Sequence, residues 1–217
     1  MKNSMKFLKI TFIMYISLIV INCSSISMPQ PTGELIPGIY TVRNNRNNIP
    51  FVNFYLIKIN EGYIAIDAGF DSIQTENELK KLDKSANDIL AVFITHSHFD
   101  HIASLSLFIN ATIYTGNTEN TELPDTSHII MKDGEIIEFN NMSIQCIYTP
   151  GHTIDSVSFL INGKYLFVGD SLVNHSNNYD NELRRISIEK LLIIEGIEYI
   201  FTGHHGYKRN VKRALSR

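Results

Sequence analysis

The sequence has little of several features that assign proteins to common classes. Its 217 residues include two cysteines and no tryptophan, and two cysteines cannot form a disulfide-rich scaffold. Hydrophobic residues make up 44% and charged residues 19%, a balance that excludes a disordered chain and a collagen-like repeat. The formal charge is −3 rather than strongly positive, so no nucleic-acid partner is expected. The length corresponds to one domain, or at most two very small ones.

A long apolar run occurs at the N-terminus, but it is too short to cross a bilayer. Residues 10–21 are twelve consecutive uncharged, mostly apolar residues, whereas a transmembrane helix needs about 20. Lysines at positions 2, 6 and 9 come before this run. A positive segment followed by a short apolar one is typical of a secretory signal peptide, predicted here for residues 1–22.

The end of this segment bears on localisation. Residues 20–23 read Val-Ile-Asn-Cys and resemble the lipobox of bacterial lipoproteins, in which the cysteine is acylated and becomes the mature N-terminus. Asn22 departs from the pattern, which usually has Gly or Ala there. We predict an exported protein with a lipid anchor to the membrane at Cys23. Cleavage after Ser27, giving a secreted or periplasmic protein, and an uncleaved anchor are the alternatives.

The remaining chain is acidic and divides into a tether and one domain. Loss of three lysines with residues 1–22 leaves 16 basic against 22 acidic residues, a charge of −6, which argues against binding phosphate backbones. Residues 23–37 contain three prolines and little periodicity, so we predict a tether there. Residues 38–217 are predicted to form the folded domain.

Strands dominate the predicted secondary structure of this domain. Residues 44–50 are interpreted as a turn, and helices are predicted over 72–83, 181–194 and 207–216. A continuous apolar run over 90–95 is typical of a strand covered on both faces. Groups of strands separated by helices indicate a sheet-on-sheet core covered by helices. The predicted strands are 38–43, 51–59, 63–67, 90–95, 112–115, 127–131, 135–139, 142–149, 155–161, 164–168 and 198–202.

The strongest chemical signal is the segment His-Ser-His-Phe-Asp-His at residues 96–101. It follows the buried strand directly. In an extended chain His96 and His98 point the same way, so both imidazoles can reach one ion. Asp100 and His101 can then address a second position nearby. Imidazole nitrogen combined with carboxylate oxygen suits zinc, with iron and manganese as alternatives.

Further candidate ligands follow three later predicted strands. They are His152 in Pro-Gly-His-Thr, Asp170 in Gly-Asp-Ser, and His204 in Gly-His-His-Gly. Each lies beside a glycine, which lets the backbone turn sharply close to an ion. One such site alone is a weak signal. Four such sites, each directly after a predicted strand, together predict a metal centre.

These four motifs in this order resemble the metallo-β-lactamase superfamily of metallohydrolases, and residues 53–57 and 66–69 are similar to its first strands. The resemblance covers residues 38–207. It implies an α/β fold of α+β type, a four-layer αβ/βα sandwich with the metals at one edge of two sheets. It also implies two zinc ions. The first would be held by His96, His98 and His152, the second by Asp100, His101 and His204, with Asp170 bridging both.

The same resemblance implies a mechanism. The metals would share a hydroxide, since metal binding brings the pKa of water toward neutrality. That hydroxide would attack a carbonyl carbon of a small-molecule substrate. Asp100 would orient the nucleophile and carry a proton to the leaving group. Asp67 would support a ligand rather than bind metal.

The remaining histidines and Cys146 receive other interpretations. His205 competes with His204 for the ligand role, and position favours His204. His175 is interpreted as a surface histidine and His128 as structural. Cys146 lies in an alternating apolar run, which predicts a buried, unreactive thiol.

The glyoxalase II and lactonase branches of the family are the first functional hypothesis, because Asp170 and Asp100 both fit them. A thioester, lactone or related ester is therefore the expected substrate. The alternatives are a β-lactamase, a phosphodiesterase of the same fold, an iron-dependent sulfur dioxygenase and a non-catalytic metal-binding surface module. Thirteen residues follow His204, whereas glyoxalase II has a helical C-terminal region that helps to bind glutathione. The sequence therefore does not specifically predict a glutathione thioester as the substrate.

Overall fold

The computed structural model describes residues 28–116, 123, 128–172, 181–209 and 215. The predicted signal peptide, Cys23 and His175 lie outside these ranges. None of the helices in the described ranges combines the length and the apolar character needed to cross a membrane.

The first sheet has seven strands that follow one another in chain order. Strands β1 to β4 pair antiparallel, whereas β4 to β7 pair in parallel. Helix α1 lies between β4 and β5, and the single-turn helix α2 follows β5. The elements are β1 (Gly33–Ile36), β2 (Ile39–Arg46), β3 (Ile49–Ile59), β4 (Gly62–Ile66), α1 (Ser72–Lys81), β5 (Ile89–Ile94), α2 (Phe99–Ile102), β6 (Thr112–Thr115) and β7 (His128–Ile130).

The second sheet has six strands in the order β13-β12-β11-β10-β9-β8. Its pairs are antiparallel except β11 with β12, which are parallel and connected through helix α3. The elements are β8 (Ile136–Phe139), β9 (Met142–Tyr148), β10 (Val157–Ile161), β11 (Tyr165–Phe167), α3 (Asn181–Leu192), β12 (Tyr199–Thr202) and β13 (Gly206–Lys208). Short 3₁₀ turns occupy Ala86–Asp88 and Leu105–Leu107.

Three apolar clusters define four layers. The central one joins inward-facing residues of both sheets, such as Phe93 and Phe159. The outer face of the first sheet packs against α1 through Leu79. The outer face of the second packs against α3 through Leu191. This arrangement confirms the predicted αβ/βα sandwich, since each sheet buries one face against the other and one against helices.

Most predicted elements agree with the structure to within one to three residues, and parts of three predictions were wrong. Residues 33–36, placed in the tether, form the edge strand β1. The segment 44–50 is mostly strand, and only Asn47 and Asn48, both with positive φ, make the turn. Residues 207 and 208 of the helix predicted over 207–216 belong instead to strand β13, because the chain reverses after Thr202 and pairs back on β12. Residue 215 is helical, and residues 210–214 and 216 lie outside the described ranges.

Direct hydrogen bonds connect the two sheets at one edge. The Asn53 amide donates to the Gly203 carbonyl at 2.8 Å, and the Val157 amide to the Thr95 carbonyl at 2.8 Å. The buried Tyr55 hydroxyl donates to the Thr202 carbonyl at 2.6 Å. The sheets therefore cannot separate at this edge without breaking backbone hydrogen bonds. The predicted metal ligands lie there.

Candidate metal centre

The chain leaves five strands at this edge, and polar side chains follow each of them. Asp67 follows β4, the segment 96–101 follows β5, and His152, Asp170 and His204 follow β9, β11 and β12. Strand pairing fixes these ends relative to one another. The seven predicted ligands consequently come together from positions more than 100 residues apart in sequence.

His96, His98 and His152 form the first cluster. The His98 Nδ1 atom lies 3.1 Å from His96 Nε2 and 3.0 Å from His152 Nε2. Zn–N bonds of about 2.0–2.1 Å place two nitrogens of a tetrahedral site about 3.3 Å apart. The three nitrogens therefore lie near the separation that one zinc ion requires.

Asp100, His101 and His204 form the second cluster, in which the potential ligand atoms all lie within 4.8 Å of one another. The His204 Nε2 atom is 3.1 Å from Asp100 Oδ2. The His204 Nδ1 atom bonds to the Phe51 carbonyl, which orients the ring.

Asp170 lies between the two clusters and is 5% exposed. Its Oδ2 atom is 3.1 Å from His204 Nε2 and 3.6 Å from His152 Nε2. Its Oδ1 atom is 3.6 Å from His101 Nε2. One carboxylate thus lies within 3.6 Å of predicted ligands from both clusters.

The two clusters differ in charge. Burial lowers the pKa of His96 well below its usual value and that of His152 to about 4, so both rings are neutral near pH 7. Burial also opposes charge on His101 and His204. The Asp67 and Asp170 carboxylates nevertheless raise the His101 pKa, and the hydrogen bonds that His204 donates to Asp100 and Asp170 raise the pKa of His204 to about 10.

The carboxylates of the second cluster respond in the opposite sense. Burial works to raise the pKa of Asp170, but the nearby positive charge of His101 and the hydrogen bond from His204 hold it well below its usual value. Burial also works to raise the pKa of Asp100, but its hydrogen bond with His204 lowers it. Positive charge at this position is therefore strongly favoured, and a divalent cation can replace the protons that supply it.

Asp67 supports His101 from behind. Its Oδ2 atom is 2.8 Å from His101 Nδ1, which leaves His101 Nε2 for the cluster. The Thr95 amide and hydroxyl donate to the same carboxylate at 2.8 and 2.9 Å. Asp67 itself has a φ of 65°, in the left-handed region that few non-glycine residues adopt. The geometry matches the supporting role expected from the sequence.

Buried polar atoms show how well these residues suit a metal. His101 Nε2 and Asp170 Oδ1 are buried with no hydrogen-bond partner. Such an atom costs about 1–3 kcal/mol when it is left unsatisfied. Both atoms face the cluster and both are typical zinc ligands. The donor set therefore fits a metal ion.

The remaining histidines and the cysteine take other positions. His205 belongs to neither cluster, and its backbone amide donates a hydrogen bond to Thr202 Oγ1. His128 lies on β7 and also belongs to neither cluster. Cys146 is fully buried, and burial raises the pKa of its thiol to about 12.

Sequence reasoning missed Asp155. This residue is 3% exposed, and its Oδ2 atom accepts a hydrogen bond from the Ser97 amide at 2.9 Å. The bond joins the loop of His96 and His98 to the loop of His152, across 58 residues of sequence. An acidic residue three positions after a candidate ligand was the available signal.

We expect Asp155→Ala to lower zinc affinity about 10- to 100-fold, because the loops that carry the first cluster lose their connection. Asp155→Asn keeps an acceptor oxygen and should restore most of the affinity. Competition with a chelator measures the change, and Glu138→Ala on exposed β8 is the control. An equal loss of melting temperature with and without zinc would indicate a purely structural role instead.

The fold and donor set together define a class: a two-sheet αβ/βα sandwich with a histidine- and aspartate-rich metal centre at one edge. The chain belongs to the metallo-beta-lactamase superfamily, whose family model matches residues 48–215. It is therefore a hydrolase-fold protein whose site implies bound metal ions.

Individual relatives agree with this assignment. A hydroxyacylglutathione hydrolase of Francisella philomiragia is 31% identical over 180 residues, covering 76% of this chain and 67% of that protein. A probable metallo-hydrolase of Methanocaldococcus jannaschii is 33% identical, over 59% of this chain and 63% of its own. A solved metallo-beta-lactamase of Cronobacter sakazakii superposes with a TM-score of 0.71 at 16% identity, covering 88% of this chain and 92% of that one.

The relatives are longer than the matched region. Several curated hydroxyacylglutathione hydrolases are matched over 42 to 67% of their length. The similarity to solved structures, at 16 to 18% identity, shows the fold alone.

Proposed function

We propose that the protein hydrolyses a thioester or a closely related ester with two zinc ions. His96, His98 and His152 would hold one ion and Asp100, His101 and His204 the other, with Asp170 as a ligand to both. Iron and manganese are the alternative metals. The family shares the hydrolase fold, and we propose in addition the substrate class and the number of metal ions.

One observation carries it: the Asp170 carboxylate lies 3.1 to 3.6 Å from ligand nitrogens of both clusters. A single carboxylate between two histidine groups suits two cations of one hydrolytic centre. Relatives named hydroxyacylglutathione hydrolases support a thioester substrate. Their partial coverage leaves the alcohol or thiol part of the substrate open.

Bound zinc would supply a neutral-pH source of hydroxide and positive charge for the developing oxyanion. The chain's own part is to position groups and move a proton. Asp100 is ionised, since its hydrogen bond with His204 lowers its pKa despite burial. Its carboxylate can accept the proton from water as the oxygen adds to the carbonyl carbon. The carbon–sulfur bond then breaks, and the same proton can pass to the departing thiolate.

The test is a comparison of zinc-loaded and chelator-stripped protein, purified full-length in detergent, on four substrates. These are a glutathione thioester, an acyl-homoserine lactone, a cephalosporin and an activated phosphodiester. We expect zinc-dependent turnover of the thioester or lactone. Asp100→Asn should lower kcat about 10²- to 10⁴-fold, the range for loss of a general acid–base group. Asp83→Asn removes the same charge from an exposed position and should change nothing.

Other outcomes would overturn the proposal. Turnover of the cephalosporin or the phosphodiester alone would assign a different member of the fold. Metal binding without turnover of any substrate would favour the binding module or the dioxygenase. Full activity of Asp100→Asn would remove Asp100 from proton transfer.

We also propose that the protein is exported and anchored through Cys23, on the basis of residues 1–23. The expected result is incorporation of labelled palmitate into the full-length chain in bacteria, lost in Cys23→Ser. A water-soluble, unlabelled protein processed after Ser27 would contradict the anchor and support plain secretion.

A further inference from the structure

A strip of three phenylalanines runs from the metal ligands to an arginine on the β2–β3 hairpin. The rings of Phe99 and Phe70 meet edge to face with centroids 5.7 Å apart. Those of Phe70 and Phe51 meet in the same way at 5.4 Å. The Arg46 guanidinium lies 5.4 Å from the centre of the Phe51 ring, within the range of a cation–π interaction. We call these four residues the aromatic strip.

The aromatic strip adjoins the predicted metal ligands at two of its members. Phe99 lies between the predicted ligands His98 and Asp100 in sequence. The Phe51 ring is 5.2 Å from the His204 ring, edge to face, and its carbonyl bonds to that histidine. The Phe51 ring thus connects the two residues: it is 5.2 Å from the His204 ring and 5.4 Å from the Arg46 guanidinium.

The aromatic strip is open to a ligand. Phe99 is 63% exposed, and Phe51 and Phe70 are partly exposed. Covering an apolar surface of this kind with a ligand lowers the free energy of the complex. Aromatic faces and edges bind flat or branched apolar groups especially well.

Arg46 adds a charge requirement. Its side chain is exposed, and no carboxylate in the described part of the chain forms an ion pair with it. An unpaired guanidinium at the end of an apolar surface recognises a carboxylate or another oxyanion.

The aromatic strip is also held in place before any ligand arrives. The Phe70 amide donates to Asn44 Oδ1 at 2.7 Å. Beside Arg46, the Asn45 amide donates to Gln74 Oε1 at 2.9 Å, and Gln74 Nε2 donates to the Asn45 carbonyl at 3.0 Å. The hairpin is therefore pinned to α1, and binding requires little ordering of the backbone.

We propose that the aromatic strip is the specificity subsite of this enzyme, and that its substrate carries an apolar group followed by an anionic group on one side of the scissile carbonyl. The apolar group lies on Phe99, Phe70 and Phe51, and the anion pairs with Arg46. This inference rests on the proposed hydrolysis of a thioester or ester, and names the kind of compound hydrolysed.

Binding to the zinc-loaded, full-length protein in detergent tests the subsite without any turnover. The probes are benzylsuccinate, methylsuccinate and 4-phenylbutanoate, measured by calorimetry. One carboxylate of each probe is available to the metals, and the benzyl group and the second carboxylate address the subsite. We expect benzylsuccinate to bind about tenfold more tightly than either other probe.

Substitutions at two positions separate the contribution of the benzyl group from that of the second carboxylate. Phe99→Ala should abolish the advantage of benzylsuccinate over methylsuccinate, and Phe99→Leu should restore part of it. Arg46→Gln should abolish its advantage over 4-phenylbutanoate alone. Ile109→Ala, at a side chain 80% exposed, and Arg185→Gln, on exposed α3, are the matched controls. Because Phe99 is largely exposed, the melting temperature should be unchanged.

The inference is overturned if the three probes bind equally, or if Phe99→Ala and Arg46→Gln weaken all of them by the same factor. Its failure is distinguishable from failure of the proposed reaction. Selective binding without hydrolysis of any thioester or ester would retain the subsite and reject the reaction. Hydrolysis without selectivity would do the reverse.

Discussion

Asp170→Asn is expected to lower zinc affinity on the order of 10²- to 10³-fold and to abolish measurable hydrolysis. Asp170 is a buried carboxylate that faces His101, His152 and His204. Removing one partner from a buried charged group costs about 3–5 kcal/mol, because the remaining charges are left uncompensated. Neutral asparagine keeps the shape of the side chain but not the charge that would hold the two proposed cations.

Metal content and kinetics measure this effect together. The wild-type protein should retain two zinc ions per chain after dialysis, and Asp170→Asn at most one. Asp83→Asn should match the wild type. Retention of two ions by Asp170→Asn would show that Asp170 does not bind both, whatever the change in rate. A normal rate with one ion would replace the two-metal proposal by a one-metal one.

Gly203→Ala is expected to lower kcat/KM about 100-fold, although it adds only a methyl group. A Cβ atom at this position would lie 2.6 Å from Asp170 Oδ1 and 2.7 Å from His101 Cε1. The backbone cannot easily move away. The Gly203 amide donates to the Gly169 carbonyl at 3.0 Å, and its carbonyl accepts from the Asn53 amide. The ligands must therefore shift, and a displacement of about 1 Å in a catalytic site costs about 100-fold in rate.

Gly33→Ala is the matched control, because a Cβ atom there meets nothing within 4 Å. Kinetics, zinc content and melting temperature should all stay at the wild-type values in this variant. In Gly203→Ala the zinc-dependent rise in melting temperature should shrink. A fully active Gly203→Ala would mean that the site tolerates displacement of Asp170 and His101.

Strand β5, which leads to the first metal motif, was predictable because it is buried on both faces. A run such as 90–95 is apolar throughout, and the structure places β5 at Ile89–Ile94. The following motif concentrates three histidines and an aspartate in six residues. Burial and ligand chemistry each leave a local signature of this kind, so the ligand types and their strand ends could be read directly.

The edge strands were not predictable in the same way. Strand β1 has no buried residue, and β13 has one. The strand segments that flank Asn47 and Asn48 are rich in asparagine and look like a loop. These segments are strands because a neighbouring strand supplies hydrogen bonds, and that neighbour is chosen by the fold rather than by local composition.

The sequence by itself determined the residue types of the metal centre, the strands that carry them and the family resemblance. Only the tertiary structure decided which of these residues meet. It brought His204 within 3.1 Å of Asp100, joined Asp155 to Ser97, and aligned Phe51, Phe70 and Phe99 beside Arg46. Such contacts depend on strand pairing and on the packing of two sheets. They join distant positions that share no local pattern, and so they become visible only in the folded chain.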